Sequence, residues 1–174
     1  MIIIGFSVLM IVACHENRFE GFMELDVQDL KILSILQVDV KASMERLSEQ
    51  VGLSSASIQR RLKRLRDNKV ISAEVAIVSP KAVDQAMTFL ISVELRRDNV
   101  NCFSAFKSKV KKSPRVQQCY YVTGEVDFIL IVTAKDMEDF EQFTQQMFFA
   151  DSDVLHFKTS VVMERTKVSL ALSL

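Results

Sequence analysis

The hydrophobic pattern of the chain changes period once, near Thr88, and this change constrains the fold more than any other feature. Between Leu25 and Asp67 the apolar residues recur every three or four positions, which is typical of amphipathic helices. After Thr88 apolar and polar residues alternate, which is typical of a half-buried strand. The 174 residues are enough for two small domains. We therefore predict a helical domain followed by a domain that contains a sheet.

The helical part contains three short helices, each with its own start signal. Asp26, Ser43 and Ser54 are residue types that cap helices, because their side-chain oxygens accept hydrogen bonds from free backbone N–H groups. Gly52 lies between the second and third helices, where a tight turn needs a positive φ that other residues resist. This arrangement predicts a helix-turn-helix whose third helix covers residues 55–67.

Two apolar segments after the third helix favour a wing strand. Val70-Ile71 is followed by Val75-Ala76-Ile77-Val78, as in a strand that leads away from the helices. We therefore expect a winged helix-turn-helix domain over residues 23–78, a linker over 79–87 and a second domain over 88–174.

The predicted third helix is strongly basic in a chain without net charge. Six basic residues and one acidic residue lie between Ser54 and Ser72, whereas 22 Lys and Arg balance 22 Asp and Glu overall. Small and amide side chains can read base edges while arginines contact phosphates, although a solvated basic helix without DNA contacts is the alternative. We predict an interface with double-stranded DNA formed by Ser54, Ser55, Ala56, Ser57, Gln59, Arg60, Arg61, Lys63, Arg64 and Arg66.

The second half follows the order strand, helix, strand, strand, helix, strand. Phe106 and Phe140 belong to the two predicted helices, and the later strands are predicted at Val116–Val122, Phe128–Val132 and Val154–Met163. This order predicts an α+β protein whose second domain is a ferredoxin-like βαββαβ sheet. Both helices cover one face of such a sheet, so we expect the other face to be apolar and uncovered and to form a homodimer.

Seven segments resemble the Lrp/AsnC (feast/famine) family of bacterial transcription regulators, in the family's order and spacing. The resemblance covers residues 25–172. It implies a ligand-sensing second domain, dimers that can assemble into octamers, and transcription regulation tuned by a small effector, commonly an amino acid. The segments are LDVQDLKILSILQVD (25–39), RLSEQVGLS (46–54), RRLKRL (60–65), Val70-Ile71, VTGEVDFILIV (122–132), DMEDF (136–140) and VVMERTK (161–167).

The resemblance also implies an effector pocket where sensing domains meet, around a loop that contains a glycine and an acid. Backbone N–H groups at a glycine turn can hold a carboxylate, and the carboxylate of Asp127 can hold an ammonium group. A role for Asp127 as a turn cap stays open. The implied effector residues are Tyr121, Val122, Thr123, Gly124, Asp127 and, from the last strand, Ser160.

Three positions depart from the pattern of the family. Val40 and Lys69 stand where relatives often have glycine, so we expect the first loop and the wing turn to differ in shape. Ser160 stands where relatives often have an aromatic residue, which leaves the identity of the effector open.

The remaining polar residues form no catalytic or metal-binding pattern. Cys14, Cys102 and Cys119 fit neither paired disulfides nor metal spacing, and the two histidines, His15 and His156, leave little material for histidine-based catalysis. We therefore predict no catalytic residues, no metal, no cofactor, no membrane and a cytoplasmic protein. An amino-acid-binding regulatory module or an enzyme of amino-acid metabolism, without DNA binding, is the alternative, because ferredoxin-like folds also occur there.

The first 22 residues fit neither domain. The apolar run 1–13 is shorter than the roughly 17–25 residues that span a bilayer. Met23 directly precedes a helix start, so we expect residues 1–22 to be an upstream translation start or an appended segment outside the fold. A lipid anchor stays open because Ile11-Val12-Ala13-Cys14 resembles a lipoprotein cleavage box, and so does an extra packing element.

Overall fold

The computed structural model describes residues 23–96 and 101–174, which form two compact units. The first unit ends at Val75 and also includes Ser169–Leu174, and the second unit spans Ala76–Val168. The predicted leader at 1–22 lies outside the described residues. Within the two described ranges, no helix is both long and apolar enough to cross a lipid bilayer.

The first unit is built from three helices that begin where the sequence predicts. They are α1 (Val27–Leu36), α2 (Met44–Val51) and α3 (Ser55–Asp67). Each follows a cap whose side chain accepts the backbone N–H three residues later, and these caps are Asp26, Ser43 and Ser54. The side chain of Asp29 in turn accepts a hydrogen bond from the N–H of Asp26, so that α1 begins with a reciprocal capping box. The predicted caps are confirmed.

Two turns of the first unit adopt the left-handed backbone region. Gly52 ends α2 with φ +77°, as predicted for the turn before α3. Lys69, just after α3, has φ +59°. Glycine adopts this φ freely, whereas a lysine side chain strains it by about 1 kcal/mol. The turn therefore has a glycine-like backbone although the residue is lysine.

The core of the first unit lies between the three helices. Ile32 of α1, Leu47 of α2, and Ile58 and Leu65 of α3 are completely buried. Their spacing confirms that α3 turns one side inward, so its other side is free to carry charge.

The predicted wing strand is wrong for this chain. Residues 72–86 form a short 3-10 turn at Pro80–Val83 and no strand, and the side chain of Ile77 is 93% exposed. Alternating apolar residues specify a strand only where a neighbouring strand supplies hydrogen bonds to its backbone. Val75, Ile77 and Val78 remain exposed, because no strand in the described part of the chain pairs with them.

The last residues of the chain pack in the first unit, a feature that local sequence patterns do not signal. The Gln37 Nε2 donates to the carbonyl oxygen of Leu172 (3.1 Å), and the Leu172 N–H donates to Gln37 Oε1 (2.6 Å). A groove of about 460 Å³ beside α1 is lined by Gln50 and Leu174, among others. One glutamine amide thus makes hydrogen bonds with both the N–H and the carbonyl group of a single residue near the end of the chain.

The second unit is a four-stranded antiparallel sheet with two helices. Its elements are β1 (Met87–Leu95), α4 (Cys102–Lys112), β2 (Val116–Tyr121), β3 (Phe128–Ala134), α5 (Met137–Thr144) with a π-helical turn (Gln145–Phe149), and β4 (Val154–Val161). The strand order is β2-β3-β1-β4. This topology confirms the predicted βαββαβ arrangement.

One face of the sheet forms the core of the second unit. Phe89 and Ile91 of β1 and Phe128 of β3 are completely or almost completely buried, together with Phe106 of α4. The rings of Phe89 and Phe140 stack with centroids 3.7 Å apart. Alternate residues of the central strands therefore face the helices, as the period of two predicts.

The opposite face of the sheet is apolar only in part, which corrects the prediction. Its central residues include Leu90, Ile129 and Ile131, all exposed or half-buried. On the edge strand β4, exposed His156 lies opposite Glu94, and exposed Lys158 lies on the same side. Alternation in the sequence predicts that β4 is a strand, but it does not show which of its residues lie on this face. The register with β1 shows that they are the polar ones.

Candidate DNA interface and effector site

The outward side of α3 is made of small, amide and basic side chains. Ile58, Leu62 and Leu65 anchor the inward side of α3, and the residues at the other helical positions turn toward solvent. The N-terminus of α3 also presents free backbone N–H groups and the positive end of the helix dipole, both of which favour phosphate. The exposed residues here are Ser54, Ser55, Ala56, Gln59, Arg60 and Lys63, with Ser57 half-buried.

The turn before α3 is joined by a contact between two serines. The hydroxyl oxygens of Ser48 on α2 and Ser55 on α3 are 3.1 Å apart, within hydrogen-bond distance. With Gly52 shaping the turn, this contact helps to set the position of the first turn of α3 relative to α2.

Arg61 and Arg64 are held by carboxylates at the start of α1. Arg61 Nη1 lies 2.7 Å from Asp26 Oδ2 and 2.8 Å from Asp29 Oδ1, and Arg64 Nη2 lies 2.5 Å from Asp29 Oδ2. The Asp29 side chain is completely buried, whereas those of Arg61 and Arg64 are 19% and 44% exposed. Both arginines were expected to contact phosphates. The structure instead makes Arg61 part of the packing between α1 and α3.

The charges in this cluster stabilise one another. The N–H of Asp29 and the guanidinium of Arg61 lower the pKa of Asp26 below its ordinary value. Hydrogen bonds to Asp29 and Asp26 raise the pKa of Arg61. The spacing of three residues between Asp26 and Asp29 is a sequence signal for the capping box, but nothing local in the sequence indicates the contacts with the two arginines.

The other basic residues of α3 differ in their partners. Arg66 pairs with Glu74 (2.6 Å), and the two side chains are 48% and 37% exposed, so water and DNA can compete for the arginine. Within the described residues, Arg60 and Lys63 have no ion-pair partner. Of the predicted basic contacts, these two are the most available to a phosphate.

The loop at residues 122–127 lies at the end of the β2–β3 hairpin. Its Gly124 has φ +129°, and the N–H of Val122 donates to the carbonyl oxygen of Asp127 (2.9 Å). The ring of Tyr121 packs 5.2 Å from that of Phe128, and the Lys107 Nζ lies 4.4 Å from the Tyr121 ring centroid. Tyr121, Val122, Thr123 and Gly124 thus lie together at one corner of the sheet.

Asp127 faces inward rather than into this loop. Its side chain is buried, and Oδ2 accepts the N–H of Leu95 (2.9 Å), where the register of β1 shifts after Glu94. Its own N–H donates to the carbonyl oxygen of Val93 (2.9 Å). This geometry favours the turn-cap alternative, because the carboxylate ties the hairpin to the end of β1.

Ser160 lies far from the loop within the chain. It belongs to β4 at one edge of the sheet, whereas Tyr121 belongs to β2 at the other edge. Two strands separate them, which at ordinary strand spacing is about 14 Å across the sheet. A pocket that uses both would need a second copy of the chain.

The second unit also has a groove of about 400 Å³ beside the end of α4. Two of the three cations that line it are paired, since Lys109 contacts Asp151 (2.8 Å) and Arg115 contacts Asp139 (2.5 Å), and the third is Lys112. The described part of the chain contains no cluster of His, Cys, Asp and Glu suited to a metal ion.

The chain matches two family models that together cover most of the described residues. Residues 25–66 match the AsnC-type helix-turn-helix domain, and residues 88–172 match the Lrp/AsnC ligand binding domain. A helix-turn-helix transcriptional regulator of Sinorhizobium fredii is 48% identical over 149 residues, which are 86% of this chain and 88% of the relative. The chain belongs to the Lrp/AsnC family of transcriptional regulators. The resemblance predicted from the sequence is thereby confirmed.

Other Lrp/AsnC proteins agree in sequence and in fold. The leucine-responsive regulatory protein of Klebsiella pneumoniae is 31% identical over 146 residues, 84% of this chain and 89% of the relative. The crystal structure of a Neisseria meningitidis transcriptional regulator in complex with L-methionine has a TM-score of 0.81 and 31% identity, and it covers 86% of this chain and 97% of that one.

Proposed function

We propose that this Lrp/AsnC protein binds specific DNA sequences as a homodimer or larger assembly, and that an amino acid alters its DNA affinity or oligomeric state. The observation that carries the proposal is the outward side of α3, where Arg60 and Lys63, which have no ion-pair partner among the described residues, lie beside small and amide side chains. A DNA partner requires a cytoplasmic protein.

The N-terminal half of α3 enters the major groove. Ser55, Ala56, Ser57 and Gln59 face base edges, while Arg60, Lys63 and Arg66, once it separates from Glu74, contact phosphates. Two such helices in a dimer engage successive half-sites about 34 Å apart.

The dimer forms through the sheet face opposite α4 and α5. Leu90, Ile129 and Ile131 provide its apolar centre, and the polar residues of β4 lie at its margin. A rim of polar side chains around an apolar centre is the usual anatomy of a protein–protein interface.

The effector site combines the 122–127 loop of one copy with β4 of a second copy. The separation of Tyr121 from Ser160 within one chain supports this division. An amino-acid effector is supported by the named response of the Klebsiella relative to leucine and by the L-methionine complex of the Neisseria relative. Binding between copies would change how dimers associate and hence the spacing of their DNA-reading helices, for which a coupling of about 1–3 kcal/mol suffices.

The test is a set of thermal melts of the full chain with each of the twenty amino acids, followed by titration onto duplex DNA. A ligand at 100 times its Kd adds about 2.7 kcal/mol, which is several degrees for a protein of this size. We expect one or a few amino acids to raise the melting temperature and to change DNA affinity. If an amino acid stabilises the protein but the protein binds no duplex, the DNA-binding part alone is overturned. If no amino acid changes the melting temperature, the effector part is overturned.

A further inference from the structure

Asp29 contacts two guanidinium groups, and only one of them has a second acidic partner among the described residues. Its two oxygens lie 2.8 Å from Arg61 Nη1 and 2.5 Å from Arg64 Nη2. Arg61 also contacts Asp26 at 2.7 Å, so it keeps an acidic partner if Asp29 is lost. Within the described residues, Arg64 has Asp29 as its one ion-pair partner.

Arg64 lies where it could otherwise reach DNA. It follows Arg60 by four residues, which is about one turn along the same side of α3. Its side chain is 44% exposed, whereas that of Arg61 is 19% exposed. Carboxylates and phosphates offer arginine the same kind of paired oxygen acceptors, so Asp29 and a DNA phosphate are competitors for one guanidinium.

The burial of Asp29 favours the contact of Arg64 with Asp29 over a contact with a DNA phosphate. Its side chain is completely buried, and attraction between charges is stronger there than beside a solvated phosphate. If Arg64 left, Asp29 would remain buried with one fewer positive partner, which is costly for a buried carboxylate.

We propose that Asp29 is a positioning residue that occupies Arg64 in place of a DNA phosphate and so limits the sequence-independent part of DNA binding. The inference rests on the proposed DNA interface, since it concerns which arginines of that interface touch the backbone. Arg60 contacts phosphate, whereas Arg64 stays on Asp29 when DNA binds. The protein thereby binds random DNA more weakly than its count of basic residues on α3 suggests.

The experiment is the salt dependence of binding to a random duplex of about 30 base pairs, measured with the full chain by fluorescence anisotropy. Each phosphate contact contributes about 0.9 to the slope of log K against log salt, or about 1.8 for a dimer that places two helices on DNA. Arg60→Gln is the matched control, and it should reduce the slope by this amount. Arg64→Gln should leave the slope unchanged.

The converse variant releases Arg64. Asp29→Asn should steepen the slope by about 1.8 per dimer, so that raising salt fourfold weakens binding by about a further 12-fold. The double variant Asp29→Asn with Arg64→Gln should restore the wild-type slope, which a purely structural role of Asp29 would not produce.

The results separate the two proposals. If Arg64→Gln flattens the slope as much as Arg60→Gln, or if folded Asp29→Asn keeps the wild-type slope, the role of Asp29 is refuted while DNA binding stands. If the wild-type chain binds no duplex, both proposals fail. Should Asp29→Asn not fold, the comparison of Arg64→Gln with Arg60→Gln still decides.

Discussion

Each unit of this protein buries one aspartate among its described residues, and the two carboxylates have different partners. In the first unit, Asp29 contacts the guanidinium groups of Arg61 and Arg64 on another helix. In the second unit, Asp127 accepts the backbone N–H of Leu95 where β1 shifts register. Asp29 therefore depends on charge, and its partners are side chains for which another anion can compete. Asp127 accepts a hydrogen bond from a backbone N–H, which cannot turn toward a competing anion as a side chain can.

The largest expected effect comes from removing the acceptor in the second unit. Asp127→Ala leaves the buried N–H of Leu95 without its acceptor, so we expect a loss of about 3 kcal/mol in the free energy of unfolding, measured with urea. Asp127→Asn keeps an acceptor oxygen and should lose about 1 kcal/mol or less. Equal losses in the two variants would show that the charge of Asp127 matters as much as its acceptor oxygen.

The same pair of variants also tests the effector hypothesis for Asp127. If Asp127 holds the ammonium group of an amino acid, Asp127→Asn should abolish the rise in melting temperature caused by the stabilising amino acid. If Asp127 is only a turn cap, that rise should remain.

A smaller loss of stability is expected from replacing Asp29. Here, unlike at Asp127, the Asn variant should lose as much stability as the Ala variant. Asp29→Ala and Asp29→Asn both remove the charge, so each should lower the free energy of unfolding by about 2 kcal/mol. This is less than the usual cost of breaking a buried ion pair, because Arg61 keeps Asp26 and Arg64 can turn toward solvent. An Asn variant as stable as the wild type would remove the contrast between the two aspartates.

A stabilising change is expected at the end of α3. Lys69→Gly relieves the strain of a left-handed φ of +59° and should raise the free energy of unfolding by about 1 kcal/mol. Lys69→Ala also removes the charged group but keeps a Cβ, so it is the control and should be close to neutral. A gain from alanine equal to that from glycine would assign the effect to charge.

The smallest expected effect is a pH dependence that belongs to the first unit. The pKa of Asp26 is lowered from 3.8 by the N–H of Asp29 and by Arg61. The stability that this carboxylate contributes is therefore present above about 3.8 and is lost as pH falls through the lower pKa of the folded state. Asp26→Asn keeps a capping oxygen but not the charge, so its stability difference from the wild type should shrink in acid. A difference that is constant with pH would contradict this assignment.

The two units also differ in how much of each site was predictable. The caps of α1, α2 and α3 and the Gly52 turn depend on hydrogen bonds over three or four residues, so the sequence indicates them directly. The inward residues of α3 follow from its helical period. The partners of Arg61 and Arg64 could not be predicted, because the carboxylates that hold them precede the arginines by more than thirty residues.

For the predicted effector residues, too, the sequence indicated the local structure but not the contacts with distant segments. The sequence correctly predicts the hairpin and its glycine loop, since both are local. The inward orientation of Asp127 depends on the register shift of β1, and the separation of Tyr121 from Ser160 depends on the order of the strands. The backbone pairing of Gln37 with Leu172 is a further contact between segments far apart in the chain.

By itself, the sequence determined the helix-turn-helix, the type and order of the six elements of the second unit, the ferredoxin-like topology and the family. These follow from periodicity, caps and turns, which act between residues near one another in the chain. Only the tertiary structure decided that Arg61 serves the fold, that Asp29 holds Arg64, that Asp127 faces β1, and that residues 75–78 form no strand in the single chain. The physical reason is that a charge or a strand takes its role from its partner, and folding brings those partners from distant parts of the chain.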